Sequence, residues 1–177
     1  MNDLFMALIF FMPAGIANSI PPVVNKIPII KYWKTPIDFN YKLKGQELFG
    51  KNKTWRGLLI GTLIGGLSAW FIYPILNNSI QIEINSFLMG CLLGFGALLG
   101  DVIESFFKRR LGIASGKAWL GFDQLDYVLG GILISAPFVS ISAKGYASII
   151  VVYFVLHFVV SYIGFIMGIK ENPFKLT

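Results

Sequence analysis

The chain has 177 residues, 55% of them hydrophobic and only 14% charged, with a formal net charge of +6. A soluble domain carries about 25% charged residues, so this composition, with a mean hydropathy of +0.69, excludes an ordinary soluble protein and points to a polytopic membrane protein. The single cysteine, Cys91, excludes a disulfide framework or a multi-cysteine metal site within one chain.

A spanning helix needs about 20 mostly apolar residues. Five segments meet that need: residues 4–24, 57–76, 86 to about 107, 127–141 and 146–169. They predict an all-α integral membrane protein with five transmembrane helices, forming a single membrane-embedded domain over residues 1–177. The first segment has no basic region before it and reads as a retained helix, not a cleaved signal. Pro13 and the Pro21-Pro22 pair predict a kink or an early break in it. The fourth segment is the shortest. Glycines four residues apart, at Gly57, Gly61 and Gly65, at Gly90 and Gly94, and at Gly164 and Gly168, predict close helix approach.

The connections differ sharply in charge. Residues 25–56 carry eight Lys or Arg against Asp38 and Glu47. The loop after the third segment carries Lys108, Arg109, Arg110 and Lys117, and the C-terminal tail carries Lys170 and Lys175. The other side has only Lys144. The positive-inside rule then places the N-terminus outside, and the C-terminus and both charged loops in the cytoplasm. A pI of about 9.5 raises nucleic acid as a partner. The basic residues lie beside apolar segments, however, which fits membrane topology and anionic lipid or nucleotide, with no nucleic-acid role.

Two constellations carry chemistry. In GDVIESFFKRRLGIASGKAWLGFDQLD, residues 100–126, four acids and four bases sit at the edge of an apolar run. Charge near hydrocarbon is expensive, so such a cluster marks a functional site. Asp101, Glu104, Ser105 and Lys108 have the spacing of one helix face, with Val102, Ile103, Phe106 and Phe107 opposite. Asp123 and Asp126 are three apart, and a helical turn there aims both carboxylates the same way. Carboxylates from two helices suit Mg²⁺, which takes oxygen ligands and shares them with substrate phosphates. The same residues also fit interfacial salt bridges, such as Glu104 with Lys108. The second constellation is GKNKTWRG, residues 50–57. Lys51, Lys53 and Arg56 precede a helix N-terminus, a setting that favours phosphate and equally serves as a topological signal. It lacks the GxxxxGK[ST] pattern of a P-loop. Trp119 has two readings, stacking on a base or anchoring at the interface, and the second is the commoner use. His157 reads as a packing residue.

Both constellations resemble motifs of the phosphatidate cytidylyltransferase family, and specifically its archaeal branch, the CDP-archaeol synthases. The likeness rests on residues 35–57 and 100–131 and on the order of the hydrophobic segments. Gly100, Asp101, Glu104, Ser105, Lys108, Arg109, Asp123 and Asp126 fill the GDxxES-x-x-KR and D-R-x-D positions, and Lys53-Thr54-Trp55 fills a K-T-W element. The chain departs from the broad family at Ala114-Ser115, at the shortened glycine turn of residues 116–121, at Arg56 and at Gln124. The resemblance implies that CTP and a membrane lipid phosphate, an unsaturated di-ether glycerol phosphate with two geranylgeranyl chains, react with Mg²⁺ to give a CDP-lipid and pyrophosphate. It implies catalytic roles for Asp101, Glu104, Ser105, Lys108, Asp123 and Asp126. Mg²⁺ is expected on Asp123 and Asp126 with help from Asp101 or Glu104. Phosphates of CTP and lipid are expected on Lys53, Thr54, Arg56, Lys108 and Arg109. A non-enzymatic transporter or lipid-binding scaffold is the alternative. A CDP-alcohol phosphatidyltransferase is disfavoured, because its D-x-x-D-G-x-x-A-R signature is missing.

Overall fold

The computed structural model describes residues 2–30, 32–76, 79–115, 117 and 119–167. The expectations for Gly116, Gly168, Ile169 and the basic tail with Lys170 and Lys175 lie outside the described residues. Five α-helices follow in chain order: α1 (Asp3–Val24), α2 (Trp55–Ile72), α3 (Ser86–Arg110), α4 (Asp126–Ser135) and α5 (Ala143–Ile166). Four have side-chain N-caps, each satisfying an N–H that the helix leaves free. Asn2 accepts from Leu4 N–H, Thr54 from Gly57 N–H, Asn85 from Leu88 N–H and Ser142 from Gly145 N–H. These caps place the helix starts at residues the hydropathy pattern alone leaves loose.

α1, α2 with its 3₁₀ extension to Leu76, α3 and α5 are long and apolar enough to cross a membrane. Pro21 and Pro22 do not break α1 early, since the helix runs unbroken to Val24. The fourth predicted segment is different. α4 has only 10 residues, about 15 Å of helix against the ~30 Å of a hydrocarbon core. Pro137 then falls in a 3₁₀ turn, Ala136–Phe138. The chain leaves it as a short strand, Val139–Ser140, paired with Gln81–Ile82. Pro has no N–H to extend the α-helical ladder. The fold is therefore helical with two two-residue ladders at its ends, the second pairing Lys42–Leu43 with Gln46–Glu47.

α3 is the hub, packed against α1, α2 and α4, while α5 leans on α1. Phe10 and Phe11 of α1, Met89 and Leu93 of α3, Val128 of α4 and Ile149 of α5 are fully buried between them. Three tyrosines in this core donate to main-chain carbonyls: Tyr73 to Phe10, Tyr127 to Tyr153, and Tyr153 to Leu8. Each hydroxyl is thus satisfied where no water can serve it. His157 packs its ring 5.9 Å from that of Tyr127. Leu63, Trp70 and Phe71 of α2 and Val151, Val155 and Ile166 of α5 are exposed, as lipid-facing positions should be.

Small residues decide how closely α3 approaches its neighbours. Gly65 lies against the Gly90 carbonyl and Gly94, so the four-residue glycine pattern does mark the α2–α3 seam. A second seam, between α3 and α4, is tighter at the site end. There Gly96 meets the Gly130 carbonyl, and Gly100 meets the main chain of Asp126. No side chain fits at either point.

Candidate active site

The α3–α4 seam brings Asp126 to the acids of α3. Asp101, Glu104 and Asp126 each offer a carboxylate oxygen, all within 4.8 Å of one another. Asp101 and Glu104 are three apart on α3 and share a face. Asp126 opens α4, where a carboxylate suits the helix N-terminus, and its Oδ1 accepts from Tyr127 N–H at 2.6 Å.

Asp123 takes a different place. Gly121, at φ +85°, turns the chain, and Gln124 accepts its N–H at 2.5 Å. Asp123 therefore lies in a turn before α4, not in the same helical turn as Asp126. Its Oδ1 accepts from Lys108 Nζ at 2.6 Å and from Trp119 N–H at 3.1 Å. Burial alone would raise this carboxyl. The neighbouring Glu104 carboxyl, the Lys108 ammonium and the Trp119 N–H together outweigh burial and hold it below its ordinary value.

Lys108 also lies 3.0 Å from Glu104 Oε1, so the Glu104–Lys108 salt bridge read from the sequence is present. Its geometry falls short of a hydrogen bond, and Glu104 Oε1 is buried with no hydrogen-bond donor. Lys53 Nζ sits 2.5 Å from Asp101 Oδ2. Among the described residues no cation pairs with Asp126, and four carboxyls crowd against two lysines. The donor set is all oxygen, incompletely neutralised and includes a buried oxygen lacking a donor. These features suit a hard divalent cation.

The first charged loop is built onto this cluster. Its hairpin turns at Lys44 and Gly45, both at positive φ, as a two-residue hairpin requires. Arg110 at the end of α3 donates to the carbonyls of Leu43 and Glu47, and its guanidinium lies over the Phe106 ring at 5.3 Å. Asn52 donates to Ser115 Oγ at 3.2 Å, joining the two loops. Arg110 lies outside the residues the sequence points to as the site, and its place one turn after Phe106 is the local signal for this contact.

The remaining expected phosphate ligands are placed as follows. Thr54 is the N-cap of α2. Arg56 is buried, donating to the Ile30 carbonyl and to Asn25 Oδ1. It ties the loop to the end of α1. Arg109 and Ser105 are buried on α3, and Arg109 Nε has no hydrogen-bond partner. Trp119 stacks on Phe122 with ring centroids 3.9 Å apart.

The chain is thus a membrane-type helical protein with a cluster of carboxylates and lysines at its helix ends. A solved structure described as an intramembrane enzyme for archaeal membrane lipid biosynthesis has the same fold, with a TM-score of 0.76 and 29% identity over 90% of this chain and 94% of that one. The CDP-archaeol synthase (CarS-like) family model matches residues 1–174. Curated relatives named CDP-archaeol synthase include those of Thermococcus onnurineus, 33% identical over 98% of both chains, and Sulfurisphaera tokodaii, 35% identical over 94% of both chains. The chain belongs to the CDP-archaeol synthase family. It is a CTP-dependent cytidylyltransferase of archaeal membrane-lipid biosynthesis, and the transporter or scaffold alternative is not favoured.

Proposed function

We propose that the chain is one catalytic domain that transfers the cytidylyl group of CTP to an unsaturated di-ether glycerol phosphate, giving the CDP-lipid and pyrophosphate. The observation that carries the site assignment is the convergence of Asp101, Glu104 and Asp126 within 4.8 Å at the end of the α3–α4 seam. These three carboxylates would hold Mg²⁺. Bound there, it would neutralise charge on the triphosphate and orient it. Asp123 takes a supporting part, fixing Lys108 through the 2.6 Å contact.

The acceptor needs no strong base, because a phosphate monoester is already anionic. One of its oxygens attacks the α-phosphorus of CTP, the α–β P–O bond breaks, and pyrophosphate leaves. Bringing two anions into line is then the main task. Lys53, Lys108 and Arg109 supply positive charge to phosphates. Arg56 and Thr54 act one step back, by fixing the loop that carries Lys53. Exposed apolar faces of α1 and α5 meet the lipid chains. α4 serves as a fifth, short membrane element, the N-terminus lies outside, and both charged loops face cytoplasmic CTP.

The test supplies purified protein with Mg²⁺, radiolabelled CTP and either the di-ether or a diacyl glycerol phosphate. Label should move into the lipid phase with matching pyrophosphate release, faster with the di-ether, and chelator should stop it. No lipid-phase label with either acceptor would sink the proposal.

A further inference from the structure

We propose that Lys53 is the resident counter-cation of Asp101 and must leave that carboxylate before a divalent cation can bind. Its release then gives the nucleotide a free ammonium group. The proposal rests on the cation reading of the acidic cluster given above.

Lys53 Nζ lies 2.5 Å from Asp101 Oδ2. That carboxylate is one of the three whose oxygens converge within 4.8 Å. An ammonium group held by Asp101 and a metal ion drawn to the same carboxylate compete, since like charges that close repel strongly. One must yield, and the two lysines of the site are not equally free to do so. Lys108 stands on α3, one turn from Glu104, and is held by Glu104 and Asp123 together. Lys53 has one carboxylate partner and sits on a loop, beside the α2 N-cap. Gly50, at φ +97°, gives that loop its turn. The Lys53 side chain is 21% exposed, against 9% for Lys108. Lys53 is thus the movable one.

Once released, its four-carbon stem can swing a point charge toward a polyanion. Cation and nucleotide then assist each other. The cation frees Lys53, and a nucleotide that engages Lys53 leaves Asp101 to the cation. Such coupling is reciprocal by thermodynamic necessity. Lys53 is in these terms a positioning residue whose two partners are Asp101 and phosphate.

The experiment measures Mn²⁺ affinity by electron paramagnetic resonance on purified, nucleotide-free, full-length protein. K53M should bind Mn²⁺ about tenfold more tightly than wild type, because Asp101 loses its competitor. K51M removes a charge from the same loop, but Lys51 is 79% exposed and only 4.0 Å from Glu47. Its Mn²⁺ affinity should stay at the wild-type value, which separates local competition from general charge. K53M affinity equal to or weaker than wild type overturns the proposal, as does equal tightening in K51M. If K53M does not fold, K53R decides. A guanidinium grips a carboxylate at two points, so K53R should bind Mn²⁺ about threefold more weakly, and equal or tighter binding overturns the proposal. D126N separates this failure from that of the cation reading. Mn²⁺ binding that D126N leaves intact removes the site itself, whereas binding lost in D126N but not tightened in K53M removes only the role of Lys53.

Discussion

Gly100→Ala is the sharpest test of how the fold makes the site. A Cβ on Gly100 would overlap the Asp126 carbonyl oxygen, stand 2.8 Å from the Asp126 carbonyl carbon and 3.3 Å from Gly130 Cα. All three are main-chain atoms, so no side chain can rotate away. To regain ordinary contact, α4 must retreat by roughly 1 Å. Overpacking of this kind costs about 1–3 kcal/mol of stability. The larger effect falls on function, because Asp126 retreats with α4 while Asp101 and Glu104 stay on α3. Ligand distances tolerate only about 0.2 Å, and a displacement of about 1 Å can cost about 100-fold in rate. G100A should therefore lose Mn²⁺ affinity and at least about 100-fold in turnover, with a modest fall in Tm. G90A is the control. Its Cβ would overlap Gly65 carbonyl oxygen and Ala69 Cβ, at the other end of α3. It should lose comparable stability and keep its metal affinity. Turnover and Mn²⁺ affinity at wild-type values in G100A, or equal loss in G90A, would refute the reasoning.

Other outcomes follow from the same geometry. D126N and E104Q should each lose most activity and most Mn²⁺ affinity in a protein that still purifies as a folded monodisperse sample, as gel filtration and binding assays would check. K108A should lose turnover more than expression and should also free Asp123, whereas wild-type turnover would favour a purely topological role for Lys108. The Asp123 carboxyl is held below its ordinary value of 3.8, so its stabilising contribution is complete above that range and is lost as pH falls through the lower, folded value. D123N should accordingly flatten the acid limb of stability below about pH 4, and an unchanged limb in pH-dependent melts would contradict this. R110A should release the hairpin from α3, raising protease cleavage within residues 42–47 and weakening CTP binding, with little change in the melting of the helices.

Much of this arrangement was legible in the residues. Four long apolar segments became helices of spanning length, and the acid-rich span after Gly100 supplies three carboxylates that converge. The glycine spacing of Gly61, Gly65, Gly90 and Gly94 marked a true helix seam. Other features escaped because they depend on contacts distant in sequence. Asp123 and Asp126 have helical spacing, yet the positive φ of Gly121 and the Trp119 N–H bond put Asp123 in a turn facing Lys108. The fourth segment is apolar enough to suggest a spanning helix, but Pro137 ends its α-helical ladder after Ser135. Arg56 stands in a row of bases, and its bonds to the Ile30 carbonyl and Asn25 Oδ1 join residues 26 and 31 apart. The Lys53–Asp101 pair joins residues 48 apart, which no local pattern encodes.

The most direct measurement is anomalous diffraction from crystals of the protein soaked with Mn²⁺. One strong peak is expected, bounded by carboxylate oxygens of Asp101, Glu104 and Asp126, with Lys53 withdrawn from Asp101. A peak held by Asp123 and Asp126 without the α3 acids, or no peak at saturating Mn²⁺, would contradict that arrangement.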